Sequence, residues 1–222
     1  MTALVRWSLA ELAGSQRFFA PVLAFLAVLG VFFSGPPGPA LDGYAATSIA
    51  LFWFATWTAW ALLESEDDTS RLVTASAAGG PVRPAAGRLL AAGLVVLGLV
   101  VTATMLPPLL GAFLPAPARA DVLTGLAAGL VTALSGIALA ALCTRPLIRR
   151  PAPAIVVMVL IALLTMAEPG PPAWVLPPVI PVARALSYPE GGLAPLLRAG
   201  LGSAALSAAA FAVHLVVVRR RA

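Results

Sequence analysis

The chain has 222 residues, of which 60% are hydrophobic and only 10% are charged, and its formal net charge is +5. Soluble domains carry about 25% charged residues, so this composition indicates a membrane protein. The basic residues lie in short segments between apolar stretches, which argues against nucleic-acid binding. All fourteen are arginine. A phosphate-binding loop needs its GK[ST] lysine, so the chain is not expected to hydrolyse nucleotide in that way.

A single cysteine, Cys143, excludes an internal disulfide and a metal site built from several thiolates. The single histidine, His214, excludes zinc motifs that need two histidines. We therefore expect the chain to bind no metal and no cofactor. The first long apolar run has no cleavable small-residue site after it, so we expect no signal peptide.

Residues 3–16 predict an interfacial helix at the start of the chain. Val5, Leu9 and Leu12 lie at i, i+4 and i+7 on one face, and Trp7 can sit at the level of the lipid headgroups. The alternative is a simple cytoplasmic extension of the first membrane span.

Apolar stretches predict an all-α membrane protein with six transmembrane helices. The expected spans are 18–33, 44–63, 89–114, 122–143, 154–167 and 196–218. Pro107-Pro108 predict a kink or an early end of the third span. The fifth span is shorter than the roughly 20 residues that a perpendicular crossing requires.

The arginines are distributed unevenly over the loops that join these spans. Only Arg119, Arg184 and Arg198 fall on one side, and the other eleven fall on the opposite side. This asymmetry predicts a multi-pass cell-membrane protein with both termini in the cytoplasm. We expect Arg71, Arg83 and Arg149 on the inner side, and Asp42, Arg119 and Glu190 on the outer side.

The outer segment 168–195 is hydrophobic, but prolines interrupt it repeatedly. Those prolines exclude one straight helix. Trp174, Val179 and Ile180 are too apolar to sit free in water, so we expect two short re-entrant helices, ordered and half-inserted on the outer side of the membrane.

A tryptophan stripe marks the second span. Trp53, Trp57 and Trp60 lie at i, i+4 and i+7, at a depth where tryptophan is unusual. The stripe either lines a path for an amphipathic or lipid-like substrate, or packs against neighbouring helices and lipid.

Ser135 and His214 are the residues that an intramembrane serine protease would need. Ser135 lacks the glycine two residues before it that such proteases carry, and His214 lies toward the cytoplasmic end of its span. We expect Ser135 to be a small packing residue, and His214 to hydrogen-bond a neighbouring helix or reach the interface.

The segment 64–86, between spans two and three, carries the strongest functional pattern. A run of carboxylates closes the second span, because these groups are costly to place in hydrocarbon. A short, weakly amphipathic helix follows, with Thr69 or Ser70 expected to cap it, and Gly79-Gly80-Pro81 ends it. The alternative is an ordinary solvated loop.

This segment resembles that of the permease subunits of ABC-2 type exporters. Those subunits carry an acidic residue at the base of span two, a short cytoplasmic coupling helix, a break of small residues and proline, and a basic residue that begins span three. The resemblance extends along the whole chain, from the N-terminal interfacial helix to the hydrophobic outer loop with its two short helices. Two departures are Arg88, where members often have lysine, and the unusually acidic Glu66-Asp67-Asp68.

The resemblance implies a single permease domain, 1–222, with an interfacial segment 1–17, a coupling segment 64–86 and the outer segment 168–195. It implies a dimer with a second copy or a sister permease, embedded in membrane lipid. It also implies a separate ABC ATP-binding subunit, which binds the ATP and drives export by alternating access. The chain itself would have no catalytic site. The residues expected to couple it to the ATP-binding subunit are Glu64, Glu66, Asp67, Asp68, Arg71, Leu72 and Arg83.

Two other classes of function stay open. One is a non-transporting membrane scaffold or immunity protein that binds other membrane subunits. The other is an intramembrane serine protease, whose activity would depend on Ser135 or His214.

Overall fold

In the computed structural model, the described residues are 2–16, 18–145, 147–148, 150–166, 177–188 and 194–220. The regular secondary structure of these residues is helical, with no β-strand. The helices are α1 (Thr2–Ser15), α2 (Phe19–Phe32), α3 (Ala40–Leu63), α4 (Asp68–Ala77), α5 (Val82–Leu109), α6 (Arg119–Leu142), α7 (Pro151–Met166), α8 (Val179–Ser187) and α9 (Ala194–Arg220).

Four of these helices, α3, α5, α6 and α9, are long and apolar enough to cross a membrane. Two shorter apolar helices, α2 and α7, occupy the positions predicted for the first and fifth spans. The predicted all-α class is confirmed, and the long apolar helices indicate a membrane protein. The count of six spans stays a prediction.

Helix α5 begins and ends earlier than the predicted third span 89–114, and prolines near both ends of the helix explain the difference. Helix α5 begins at Val82, seven residues earlier than expected, because Pro84 is tolerated in the first turn, where backbone amides lack helical partners. The helix ends at Leu109, directly after Pro107-Pro108. The early end predicted from this proline pair is confirmed.

Helix α1 is a separate element and does not extend the first span. It ends at Ser15, and Gln16 takes a positive φ of 55°, which breaks the helix before α2 begins at Phe19. Leu4 lies directly against α5, where a Cβ placed on Gly87 would be 3.0 Å from the Leu4 Cβ. Helix α1 is therefore not continuous with α2, and whether it lies at the membrane surface or extends into the cytoplasm stays a prediction.

Among the described helices, α3 and α6 form the most extensive contact. Glycines on α6 allow this approach. A Cβ on Gly125 would lie 2.6 Å from the ring of Tyr44, and a Cβ on Gly136 would lie 2.8 Å from the backbone oxygen of Phe52. Small residues at such spacings let two membrane helices come into backbone contact, where dispersion forces act over the largest area.

Contacts between helix ends show how the long helices run: α3 is antiparallel to α5, whereas α6 is parallel to α9. At one end, the hydroxyl of Tyr44 near the start of α3 donates to the backbone oxygen of Thr104 near the end of α5, at 3.2 Å. At the other end, the ring of His214 near the end of α9 lies 2.9 Å from the backbone oxygen of Ala141 near the end of α6. This second end, which we call the α4 end, also carries α1 and α4.

Helix α8 lies within the predicted outer segment 168–195. Val179 is fully buried in a cluster with Phe52 and Leu139, while Leu186 is buried in a second cluster with Tyr44. Helix α8 is therefore packed along α3. Residues 167–176 and 189–193, including Trp174 and Glu190, lie outside the described residues, so the second short helix and the half-inserted arrangement stay predictions.

The glycine contact between α3 and α6 can be tested with Gly136→Ala. The added methyl meets backbone atoms of α3 that cannot move aside easily, so we expect the free energy of unfolding to fall by about 1–3 kcal/mol. The matched control is Gly202→Ala in α9, where an added Cβ meets no atom within 4 Å. Helix propensity should make the control neutral or slightly stabilising. Equal Tm values for the two variants in detergent would contradict a close α3–α6 contact.

Candidate functional site

Glu64 lies just after the end of α3 and joins that end to the end of α6. Its Oε2 lies 2.8 Å from Nε of Arg145 and 3.9 Å from Nη2 of Arg71. The backbone N–H of Arg145 donates to its Oε1 at 2.7 Å. A carboxylate with this little exposure needs such donors, because burial without them costs several kcal/mol, roughly.

Glu66 forms the second half of the same polar cluster. Its side chain is 2% exposed and is ion-paired with Arg88 in the second turn of α5. The hydroxyl of Thr74 on α4 donates to its Oε1 at 2.7 Å. Glu66 therefore ties α4 and α5 together at a point screened from water.

Arg71 ties α4 back to the end of α3. Its Nη2 donates to the backbone oxygen of Leu63 at 2.8 Å, and its Nε donates to that of Glu66 at 3.2 Å. The last carbonyls of a helix have no helical partners, and a guanidinium is well suited to satisfy them.

The cap of α4 differs from the prediction. Asp67, and neither Thr69 nor Ser70, is the N-cap, and its Oδ1 accepts from the backbone N–H of Ser70 at 3.1 Å. An aspartate just before the first turn satisfies a free amide and opposes the positive end of the helix dipole. Hydrogen bonding from Ser70 lowers the pKa of the Asp67 carboxyl below its usual value. The side chain of Asp68 lies outside the described residues.

Glu11 of α1 interacts electrostatically with the charged residues of the cluster. Partial burial raises the pKa of its carboxyl, and the negative charge of Glu66 raises it further, while Arg88 and Arg71 oppose the shift. A further negative charge beside the carboxylate of Glu66 is unfavourable.

The face of α4 opposite Arg71 and Thr74 has exposed apolar side chains. Leu72 is 73% exposed and Val73 is 62% exposed, although α4 lies outside the long apolar helices. Val73 also borders a cleft of about 750 Å³ between α1, α4 and the start of α5, which Trp7 and Arg83 line as well. We call Leu72, Val73 and this cleft the α4 surface.

The structure thus divides the predicted coupling residues into two groups. Glu64, Glu66 and Arg71 are turned inward and bonded within the chain, whereas Asp67, Leu72 and Arg83 are at the surface. Sequence reasoning missed the roles of three cluster members: Arg88, Arg145 and Thr74. The arginines at the starts and ends of apolar spans could have indicated that the acids had partners within the chain.

The predicted tryptophan stripe lines an apolar cavity of about 680 Å³ between α2, α3 and α7. Trp53, Trp57 and Trp60 form one wall, and Phe32 and Met158 belong to the others. Trp57 is 41% exposed. Among the described residues, the buried Nε1 of Trp60 has no hydrogen-bond acceptor.

Ser135 and His214 lie in separate hydrogen-bonded groups where α6 meets α9. The hydroxyl of Ser135 lies 2.7 Å from that of Ser203 and donates to the backbone oxygen of Val131 at 3.0 Å. Nδ1 of His214 lies 3.4 Å from the hydroxyl of Thr144. Among the described residues, no hydrogen bond joins Ser135 to His214, and each of the two links α6 to α9.

Comparison of the chain with protein-family models, curated proteins and solved structures found no match.

The coupling between the buried residues Glu66 and Arg88 can be tested with a double-mutant cycle of Glu66→Gln and Arg88→Gln. Each single change leaves a buried charge without its partner, so each should lower the free energy of unfolding by about 3–5 kcal/mol. The double variant should lose less than the sum of the two. Arg83→Gln, on an exposed arginine of the same helix, should change stability by only about 0.5 kcal/mol. Additive losses around the cycle would show that the pair is not coupled.

Proposed function

We propose that the chain is a transmembrane permease subunit of an ATP-driven exporter, similar to those of ABC-2 type exporters. One observation carries the proposal. Helix α4 is joined by Arg71 to the end of α3, and by Thr74 to Glu66, which pairs with Arg88 of α5, and it turns exposed Leu72 and Val73 outward. An apolar face held rigidly outside the long apolar helices is suited to bind a separate protein.

In this proposal, α4 acts as the coupling element between the ATP-binding subunit and the membrane helices. Glu66 links α4 to α5 through Arg88, while Arg71 links α4 to α3 and Glu64 links α3 to Arg145 beyond α6. A displacement of α4 would therefore reach three long helices through short, charged contacts. ATP hydrolysis on the partner would drive alternating access through these contacts.

The tryptophan-lined cavity is the observation that favours an amphipathic or lipid-like substrate. Its wall is aromatic and apolar, and about 680 Å³ falls within the range of small-molecule sites. In this proposal, Trp57, which is 41% exposed, offers its aromatic surface to the substrate. Helix α7, with exposed Ile155, Val156 and Leu160, offers an apolar surface for a second permease copy or a sister permease.

The coupling role can be tested with Leu72→Asp combined with Val73→Asp. Both side chains are exposed, so the fold should survive, whereas reversal of Glu66 would break a buried pair within the chain. Full burial of a leucine or valine side chain is worth about 1.5–3 kcal/mol, and an aspartate in its place would bury an unpaired charge. Co-purification with an ABC ATP-binding subunit encoded beside this chain, and ATP turnover of the reconstituted complex, should both fall by about tenfold or more.

The matched control is Leu110→Asp, which places a charge at a 67% exposed leucine near the opposite end of the bundle. This variant should retain the complex and its ATP turnover. If the parent chain binds the subunit and the Leu72 and Val73 variant still does, the α4 surface is not the coupling site. If the parent chain binds no such subunit, the transport proposal fails and the scaffold alternative gains support.

The orientation proposed for an exporter subunit places the α4 end in the cytoplasm. Arg83 at that end and Arg119 at the opposite end are both exposed. In a Cys143→Ala background, a membrane-impermeant maleimide added to intact cells should label Arg119→Cys and leave Arg83→Cys unlabelled until the cells are opened. The reverse pattern would invert the proposed topology.

A further inference from the structure

A second apolar groove lies between α1, α5, α6 and α9. Its volume is about 910 Å³, and it shares no described lining residue with the tryptophan-lined cavity. Leu90, Leu94 and Leu97 of α5 form one wall at i, i+4 and i+7, and they are 53%, 53% and 43% exposed. Phe211 of α9 belongs to the opposite wall.

The floor of the groove is open because a glycine lies there. Gly93 lines the groove, and a Cβ built on it would meet no atom within 4 Å. The wall from Leu90 to Leu97 extends about 10 Å along the helix. This length and the apolar lining are suited to a segment of a lipid acyl chain.

The groove is charged only at the α4 end of the bundle. Arg6 of α1 is the one charged residue among the described lining residues, and it is exposed. Arg219 follows Leu215, another lining residue, by one turn on the same face of α9, and it is also exposed. No ion pair involving either arginine is found among the described residues.

We propose that this groove binds one anionic phospholipid, with an acyl chain against Leu90, Leu94 and Phe211 and its phosphate near Arg6 and Arg219. The apolar wall accounts for binding of the acyl chain of any lipid. The two arginines at one end, which pair with no carboxylate among the described residues, select for a negative headgroup. Each arginine near a membrane surface strengthens binding of anionic lipid by about fivefold. This lipid site does not depend on the proposed transport function, since it uses no residue of the α4 surface or the tryptophan stripe.

The test measures lipid binding to the full chain in detergent by native mass spectrometry. The probes are phosphatidylglycerol and phosphatidylcholine with the same acyl chains. The parent should bind phosphatidylglycerol more tightly, by about 25-fold if both arginines act independently. Arg6→Gln and Arg219→Gln should each reduce that preference by about fivefold. Gly93→Leu should fill the groove and remove the bound molecule of either lipid.

Two matched controls distinguish loss of the lipid site from the effects of adding a leucine or removing an arginine elsewhere in the chain. Gly98→Leu adds the same side chain at another open position of α5, and Arg198→Gln removes an exposed arginine near the start of α9. Both should bind lipid as the parent does. Equal binding of the two lipids to the parent would overturn the headgroup selection. Unchanged binding in Gly93→Leu, or an unchanged preference in both Arg6→Gln and Arg219→Gln, would overturn the site itself.

Discussion

The rest of the structure depends on the close contact between α3 and α6. Glycines on α6 let the ring of Tyr44 and the backbone around Phe52 approach to distances that no side chain would permit. In lipid there is little hydrophobic gain from joining two apolar helices, so close packing has to supply the stabilisation. Because α3 and α6 are held together along their length, their ends are also adjacent, and Glu64 meets Arg145 there.

The polar cluster is a consequence of that arrangement, and it gives α4 a defined position. A buried carboxylate is unfavourable unless charged and polar donors surround it, and Glu66 has both Arg88 and Thr74. Such pairs contribute little net stability compared with an apolar core, but losing one partner is costly. They are therefore suited to hold one arrangement of helix ends and to transmit a displacement from one helix to the next.

The two apolar grooves differ in the polar groups that they offer. The tryptophan-lined cavity has an aromatic and apolar wall with no charged side chain among its described lining residues, which suits a largely apolar molecule. The groove beside α5 has Arg6 at one end and leucines along its length, which suits a lipid that keeps its headgroup at the membrane surface. The two proposals thus assign the first cavity to a transported molecule and the second groove to a resident lipid.

The sequence by itself determined the all-α class, the positions of the apolar helices and the break at Pro107-Pro108, because hydrophobic length and proline act locally. It also located the short helix after span two, although it missed Asp67 as the cap. What only the tertiary structure decided is which charges meet. Glu66 and Arg88 are 22 positions apart, and Glu64 and Arg145 are 81 apart. No local pattern relates them, so acids that the sequence suggested for a partner protein are instead bonded within the chain. The exposure of Leu72 and Val73 also depends on distant contacts. The hydrogen bonds of Arg71 and Thr74 fix the rotation of α4 about its axis, and this rotation leaves Leu72 and Val73 on the outer face.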